Sequence, residues 1–157
     1  MLTEGIGSIL FYLIMIGLGA GILYLLFSSS KVTQMEQGLS TMTMQIQGLY
    51  AGSSSYEGLN NAVAVQSGAA PGKLVSGTTI KTPWGGNITV GTGSDSGTFT
   101  VKLEGIAKAD CSKLAVYQLN MWESVDINGT VVDGDTAVAD AVGACSGKSN
   151  TIIYTSR

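Results

Sequence analysis

The chain has 157 residues, two cysteines, no histidine and a formal net charge of −3. That length holds one domain of ordinary size, and a charge balance with no basic stripe or patch argues against nucleic acid as a partner. The hydrophobic fraction of 45% averages an apolar N-terminal stretch with a polar remainder, in which 22 glycines and only two prolines point to many turns.

From Gly5 to Phe27 no residue is charged, and the polar content is Ser8, Tyr12 and Tyr24. As a helix this run measures roughly 34 Å, enough to cross a hydrocarbon core of about 30 Å. A secretory signal opens with Lys or Arg, and a basic cytoplasmic flank orients an ordinary signal anchor. Here the first lysine is Lys31. The expectation is therefore that a positive leader has been removed and that Met1 is a processed N-terminus.

Glu4 precedes the apolar run. A carboxylate in apolar surroundings costs about a few kcal/mol and usually has a partner. The nearest cation is an α-amino group, its own or that of a second copy; the alternative is a place at the water interface. Within the run, Gly17, Gly19 and Gly21 each weaken a helix by about 1 kcal/mol relative to alanine and allow close helix–helix approach. Close packing and local unwinding are both compatible with them.

Ser28-Ser29-Ser30-Lys31 marks the exit into water. Beyond it Val32, Met35, Leu39, Met42, Ile46 and Leu49 recur at spacings of 3, 4, 3, 4 and 3, an amphipathic helical stripe. No proline falls before Pro71, so one long helix is expected from about Thr3 to Tyr50, ended by Ala51-Gly52 and the serines after it. Residues 1–30 form its apolar part, and residues 31–157 form a head whose first segment, 31–50, continues the helix.

A short helix is expected from Tyr56 to Gln66 and a loop from Ser67 to Gly72. Period-two patterning then marks strands at Leu74-Val75, Thr79-Ile80, Asn87–Val90 and Thr98–Leu103, with Gly91–Gly97 as a hairpin turn. That turn lacks the lysine of a phosphate-binding loop and does not lead into a helix. Ala109 to Ser124 reads as a helix with Cys111, Leu114, Ala115, Leu119 and Trp122 along one side. Asp126 to Val132 is a hairpin with an Asn128-Gly129 turn, and Asn150 to Thr155 is a last strand.

With a membrane segment ahead of them, Cys111 and Cys145 belong in an oxidising compartment, and a disulfide is the first reading. In the chain-entropy model a loop of about 34 residues is worth about 3–4 kcal/mol. A metal site is a poorer reading, with no histidine and so wide a spacing; the pair is not a CxxC motif either. Asp126, Asp133 and Asp135 hint at calcium, but their spacing does not match an EF-hand loop, and Asp favours such turns anyway. No histidine base, GxSxG elbow, Ser-x-x-Lys motif or Cys–His pair is present, so no enzyme, cofactor or catalytic residue is expected.

Taken together, the features are an N-terminus without a basic flank, the acid Glu4, an apolar run passing into an amphipathic helix, and a Gly-rich head with one C-terminal disulfide. In these the chain resembles the type IV pilins, and its head resembles those of the type IVb subclass. Lys81-Thr82-Pro83-Trp84-Gly85-Gly86 with the strand after it is most similar to the thin-pilus major pilins of conjugative plasmids. The resemblance implies an α+β fold in which the apolar half of the helix protrudes and the amphipathic half packs on an antiparallel sheet. It implies a prepilin peptidase that cleaves a basic leader and methylates the new N-terminus. The family's acid is usually the fifth mature residue; here it is Glu4. Type IVa pilins usually carry a proline within the anchor, and its absence here leaves the three glycines as the weak point.

What the resemblance implies for function is a major subunit that waits in the bacterial inner membrane and is polymerised by an assembly machinery into an extracellular homopolymer. In it Glu4 pairs with a neighbour's N-terminal amine, and the head meets a recipient or host cell surface in adhesion or conjugative mating. The rivals are a pseudopilin or minor pilin, with the same N-terminus in a piston or tip, and a single-pass anchored periplasmic binding domain that forms no polymer.

Overall fold

The structure, a computed structural model, describes residues 31–157, and Val32–Arg157 forms one compact unit. Met1, Glu4, Gly17, Gly19 and Gly21 lie outside the described residues, as does the apolar half of the expected long helix.

Helix α1 runs Lys31–Leu49. Its stripe buries Met35, Leu39, Met42 and Ile46 completely in the same apolar cluster as the inner face of the sheet. The ends of the expected stripe depart from it: Val32 is half-buried and Leu49 is 50% exposed. Four anchors thus fix the helix, and at about 1.5–3 kcal/mol for a fully buried aliphatic side chain they supply most of its hold.

The sheet has seven strands: β1 Val75–Ser76, β2 Thr79–Lys81, β3 Asn87–Thr92, β4 Phe99–Ile106, β5 Ser124–Ile127, β6 Thr130–Val132 and β7 Asn150–Ser156. Their spatial order is β1-β2-β3-β4-β7-β5-β6, every pair antiparallel. The C-terminal strand therefore lies between β4 and β5. Alternation is strict in β7, where Ile152, Tyr154 and Ser156 are buried and Thr151, Ile153 and Thr155 only half so. The same rule holds through most of β4, where Phe99, Val101, Leu103 and Ile106 face inward.

The other helices are shorter than the sequence suggests. Only Asn61–Gln66 (α2) is helical in the expected segment 56–66, because Asn60 is its N-cap and accepts the Val63 N–H through its side chain. The expected helix 109–124 is cut to Lys108–Ala115 (α3). Gln118 turns left-handed (φ 47°), a 3-10 turn covers Leu119–Met121, and the Trp122 indole donates back to the Tyr117 carbonyl at 3.1 Å. Leu74 falls in a 3-10 turn rather than a strand, and β3 takes in Gly91 and Thr92 from the expected hairpin turn. An unforeseen helix, α4, runs Ala137–Ala144, a stretch made mostly of small residues.

Cys111 in α3 and Cys145 just after α4 form the disulfide, with Cα atoms 5.8 Å apart, so the bond ties the two helices together. Between them lie β5 and β6, joined by the Asn128-Gly129 turn with φ values of 52° and 90°, the left-handed pair that a two-residue hairpin needs. Asp126 closes this turn by accepting the Gly129 N–H at 2.9 Å, which is a turn role rather than a metal-binding one.

Candidate interaction surfaces

Two buried polar contacts hold the C-terminal part of the head in shape. Asn150 is fully buried; its amide donates to the carbonyls of Ile106 (3.1 Å) and Gly147 (2.9 Å) and accepts from Gly147 N–H and Asn128 Nδ2. The Tyr154 hydroxyl donates to the Leu114 carbonyl at 2.6 Å, and its ring packs on Trp122 at 4.7 Å. Burial raises the Tyr154 pKa well above its ordinary value, and the Glu36 charge on α1 adds to the effect. Partial burial raises Glu36 itself. Asn150 and Tyr154 are both buried and hydrogen-bonded.

The remaining chemistry is on the surface. Met44 on α1 is 65% exposed and Met121 is 73% exposed. Both border a groove of about 210 Å³ together with Gln47, Trp122 and Ser156. Gln47 donates to the Arg157 carbonyl at 2.7 Å, and the Arg157 guanidinium donates to both Glu123 oxygens, at 2.7 and 3.3 Å. The hydrogen bond to Glu123, then its charge, raises the Arg157 pKa.

A second exposed apolar feature is the outer side of α4, where Val138 and Val142 are 61% and 59% exposed. Their spacing of four places them one above the other on one side of the helix. Asp135 and Asp140 flank them, and Asp140 accepts a hydrogen bond from the Thr136 hydroxyl at 2.9 Å.

A third feature is a cleft of about 300 Å³ between α1, the turn at 71–74 and β2, with Gly38, Pro71, Leu74 and Pro83 in its wall and Lys73 and Lys81 beside it. The Lys81-Thr82-Pro83-Trp84-Gly85-Gly86 stretch closes one side as a turn. Thr82 N–H donates to the Gly86 carbonyl at 2.8 Å, and the Trp84 indole donates to Asp110 at 3.0 Å. A Cβ at Gly86 would run into the Glu104 carbonyl. Opposite it Gly105 (φ 77°) sits where the β4–β7 register shifts, so two glycines let the turn lie flat on β4.

Of the residues the sequence points to, the disulfide pair is buried, and the turn residues Asp126 and Asn128 act structurally. Sequence reasoning missed Asn61, Asn150 and the α4 ridge. An asparagine in a strand start or beside a helix cap carries no signature of its eventual partner, and only the acids around α4 were legible.

Residues 29–157 match the family described as PilS N terminal. The chain is 29% identical over 126 residues to the major structural subunit of bundle-forming pilus from Escherichia coli O127:H6, covering 76% of this chain and 64% of that protein. It is 30% identical over 107 residues to the subunit of the same description from Escherichia coli O111:H-, covering 64% of this chain and 55% of that protein. The chain thus spans less than two thirds of the length of these relatives. In fold it resembles the type IVb pilin from Salmonella typhi, with a TM-score of 0.64 at 22% identity over 76% of this chain and 95% of that one. It also resembles TcpA, a type IV pilin from Vibrio cholerae El Tor, with a TM-score of 0.59 at 13% identity over 82% and 99%. With α1 packed on an antiparallel sheet and a disulfide closing the C-terminal region, the head has the fold of the type IVb pilin, and the match across all of it places this chain in the PilS N-terminal family.

Proposed function

We propose that this chain is the major structural subunit of a type IVb pilus and polymerises through its N-terminal segment into a thin extracellular filament. The observation that carries the reading is the joining, in one chain, of an uncharged run from Gly5 to Phe27 to a pilin head whose first helix begins at Lys31. The run remains out of water both in the inner membrane and in a filament core of like segments, so transfer between them need not cost hydrophobic free energy. A prepilin peptidase and an inner-membrane machinery act before assembly. Glu4 pairs with the N-terminal amine of a neighbouring copy and sets axial register, and Gly17, Gly19 and Gly21 allow close packing or local unwinding. Removing one partner of such a buried pair costs about 3–5 kcal/mol.

The heads face solvent and serve cell–cell contact, adhesion or conjugative mating. The names of the bundle-forming relatives favour a major subunit over a tip or piston component. Electron microscopy of the sheared surface fraction tests the reading. Thin filaments are expected from the wild type and none from Glu4→Ala. A wild type that stays in the membrane and makes no filament overturns the polymer reading, and filaments from both overturn the role of Glu4.

A further inference from the structure

The charges of the head are sorted in sequence and, through the strand order, in space. From Gly58 to Ser94 the only charged residues are Lys73 and Lys81; from Leu114 to Gly147 there is no Lys or Arg, and the charges are Glu123, Asp126, Asp133, Asp135 and Asp140. Lys73 lies in the 3-10 turn Gly72–Leu74 that leads into the β1 edge and Lys81 ends β2, whereas Asp133 follows β6, the opposite edge, and Asp135 and Asp140 belong to the turn and helix after it. Seven strands at about 4.8 Å put these two edges roughly 29 Å apart. Among the described residues the ion pairs are Lys102–Glu104 and Arg157–Glu123, so Lys73, Lys81, Asp133, Asp135 and Asp140 form no salt bridge within their own head.

Each edge also has an apolar component. The basic edge is concave, the cleft of about 300 Å³ with Pro71, Leu74 and Pro83 in its wall. The acidic edge carries the outer side of α4, with Val138 and Val142 exposed. Two different patches that complement each other make a heterologous contact, and a heterologous contact that does not close into a ring generates an open helical array. A self-complementary patch would stop at a dimer.

We propose that the acidic α4 ridge of one copy docks into the Lys73/Lys81 cleft of the next, as a lateral contact between heads. It rests on the filament reading and adds to it which surfaces of the head meet. Val138 and Val142 enter the cleft against Pro71 and Leu74, and Asp135 and Asp140 meet the two lysines at its rim. Complementary charge fixes the register and rejects the like-charged pairing. Because the charges are at the rim, salt weakens the contact over a Debye length of about 10 Å at 0.1 M.

The test is a charge exchange in the full-length chain, made in cells that assemble it. Lys73→Glu with Lys81→Glu, and separately Asp135→Lys with Asp140→Lys, are each expected to lower sheared filament yield by about tenfold or more, since like charges across an interface cost several kcal/mol. All four substitutions together are expected to restore the yield to within about threefold of wild type, because the pairing is re-formed with its signs reversed. Accumulation of protein with the Cys111–Cys145 bond intact, seen on a non-reducing gel, is the control for folding, and rescue by the fourfold variant is a result a merely damaged head cannot give. Wild-type yield from either double variant overturns the contact, as does a fourfold variant no better than the doubles. Filaments from the wild type without rescue overturn this contact alone; a wild type that makes no filaments overturns the polymer reading and the contact with it.

Discussion

The side-chain amide of Asn61 occupies the place of a missing strand beside Val90. Its Oδ1 accepts the Val90 N–H at 2.7 Å while its Nδ2 donates to the Ile88 carbonyl at 2.8 Å. Strand β2 pairs with β3 only at Asn87 and Ile88, so the next stretch of the β3 edge would be open. One amide, fixed by helix α2, closes it. An uncovered edge presents unpaired donors and acceptors to other chains, and here it would do so in the middle of the sheet's flank.

Asn61→Ala removes both bonds and leaves a part-buried N–H and carbonyl unsatisfied. At about 1–3 kcal/mol for such groups, a loss of about 2 kcal/mol in unfolding free energy is expected by urea denaturation of the purified protein. A change within error would show that water replaces the amide without cost.

The disulfide holds α3 to α4 across a sequence separation of 34. Replacing Cys111 and Cys145 together by serine is expected to cost about 3–4 kcal/mol by the loop-closure account. Since α4 is short and open on its outer side, its amides should lose hydrogen-exchange protection before those of β4 and β7. Uniform loss across the sheet and α4 alike would mean that the bond stabilises the whole head as one unit.

Tyr154 is the group through which alkaline pH should act. Burial keeps its hydroxyl protonated in the folded state, with its pKa raised above the ordinary value near 10. The raised folded value means that its stabilisation is fully present below the unfolded pKa and is lost as pH rises above it, because only the unfolded chain then releases the proton. The melting temperature should accordingly fall above about pH 10. Tyr154→Phe loses the hydrogen bond to the Leu114 carbonyl, at a cost of about 1 kcal/mol or more near neutral pH, and should fall less steeply in the alkaline range. Equal slopes for the two proteins would exclude Tyr154 as the source.

How far each part of the head was legible follows from the range of the interactions that decide it. The α1 stripe could be read because Met35, Leu39, Met42 and Ile46 repeat at helical spacing over three turns, and all four are buried. Leu49 continues the pattern yet is half exposed, while Tyr50 beside it packs against the core. The Asn128-Gly129 turn was legible because two adjacent left-handed residues have a local signature. Helix α3 stops short of the expected end because Gln118 turns left-handed and the Trp122 indole donates back to the Tyr117 carbonyl, and the helical periodicity of the segment does not announce that.

By itself the sequence determined the class of every well-patterned segment: an uncharged run long enough for a membrane, a helix with one apolar stripe, alternating strands and a cysteine pair in the C-terminal half. These depend on residue spacing within a few turns or one strand, so local periodicity encodes them. Only the tertiary structure decided that β7 lies between β4 and β5, that Asn61 closes the β3 edge, and that two lysines and three aspartates end at opposite edges of one sheet. Those relations join residues tens of positions apart, and strand pairing and edge satisfaction are settled by burial and hydrogen bonding across the whole head, for which a stretch of sequence holds only one of the two partners.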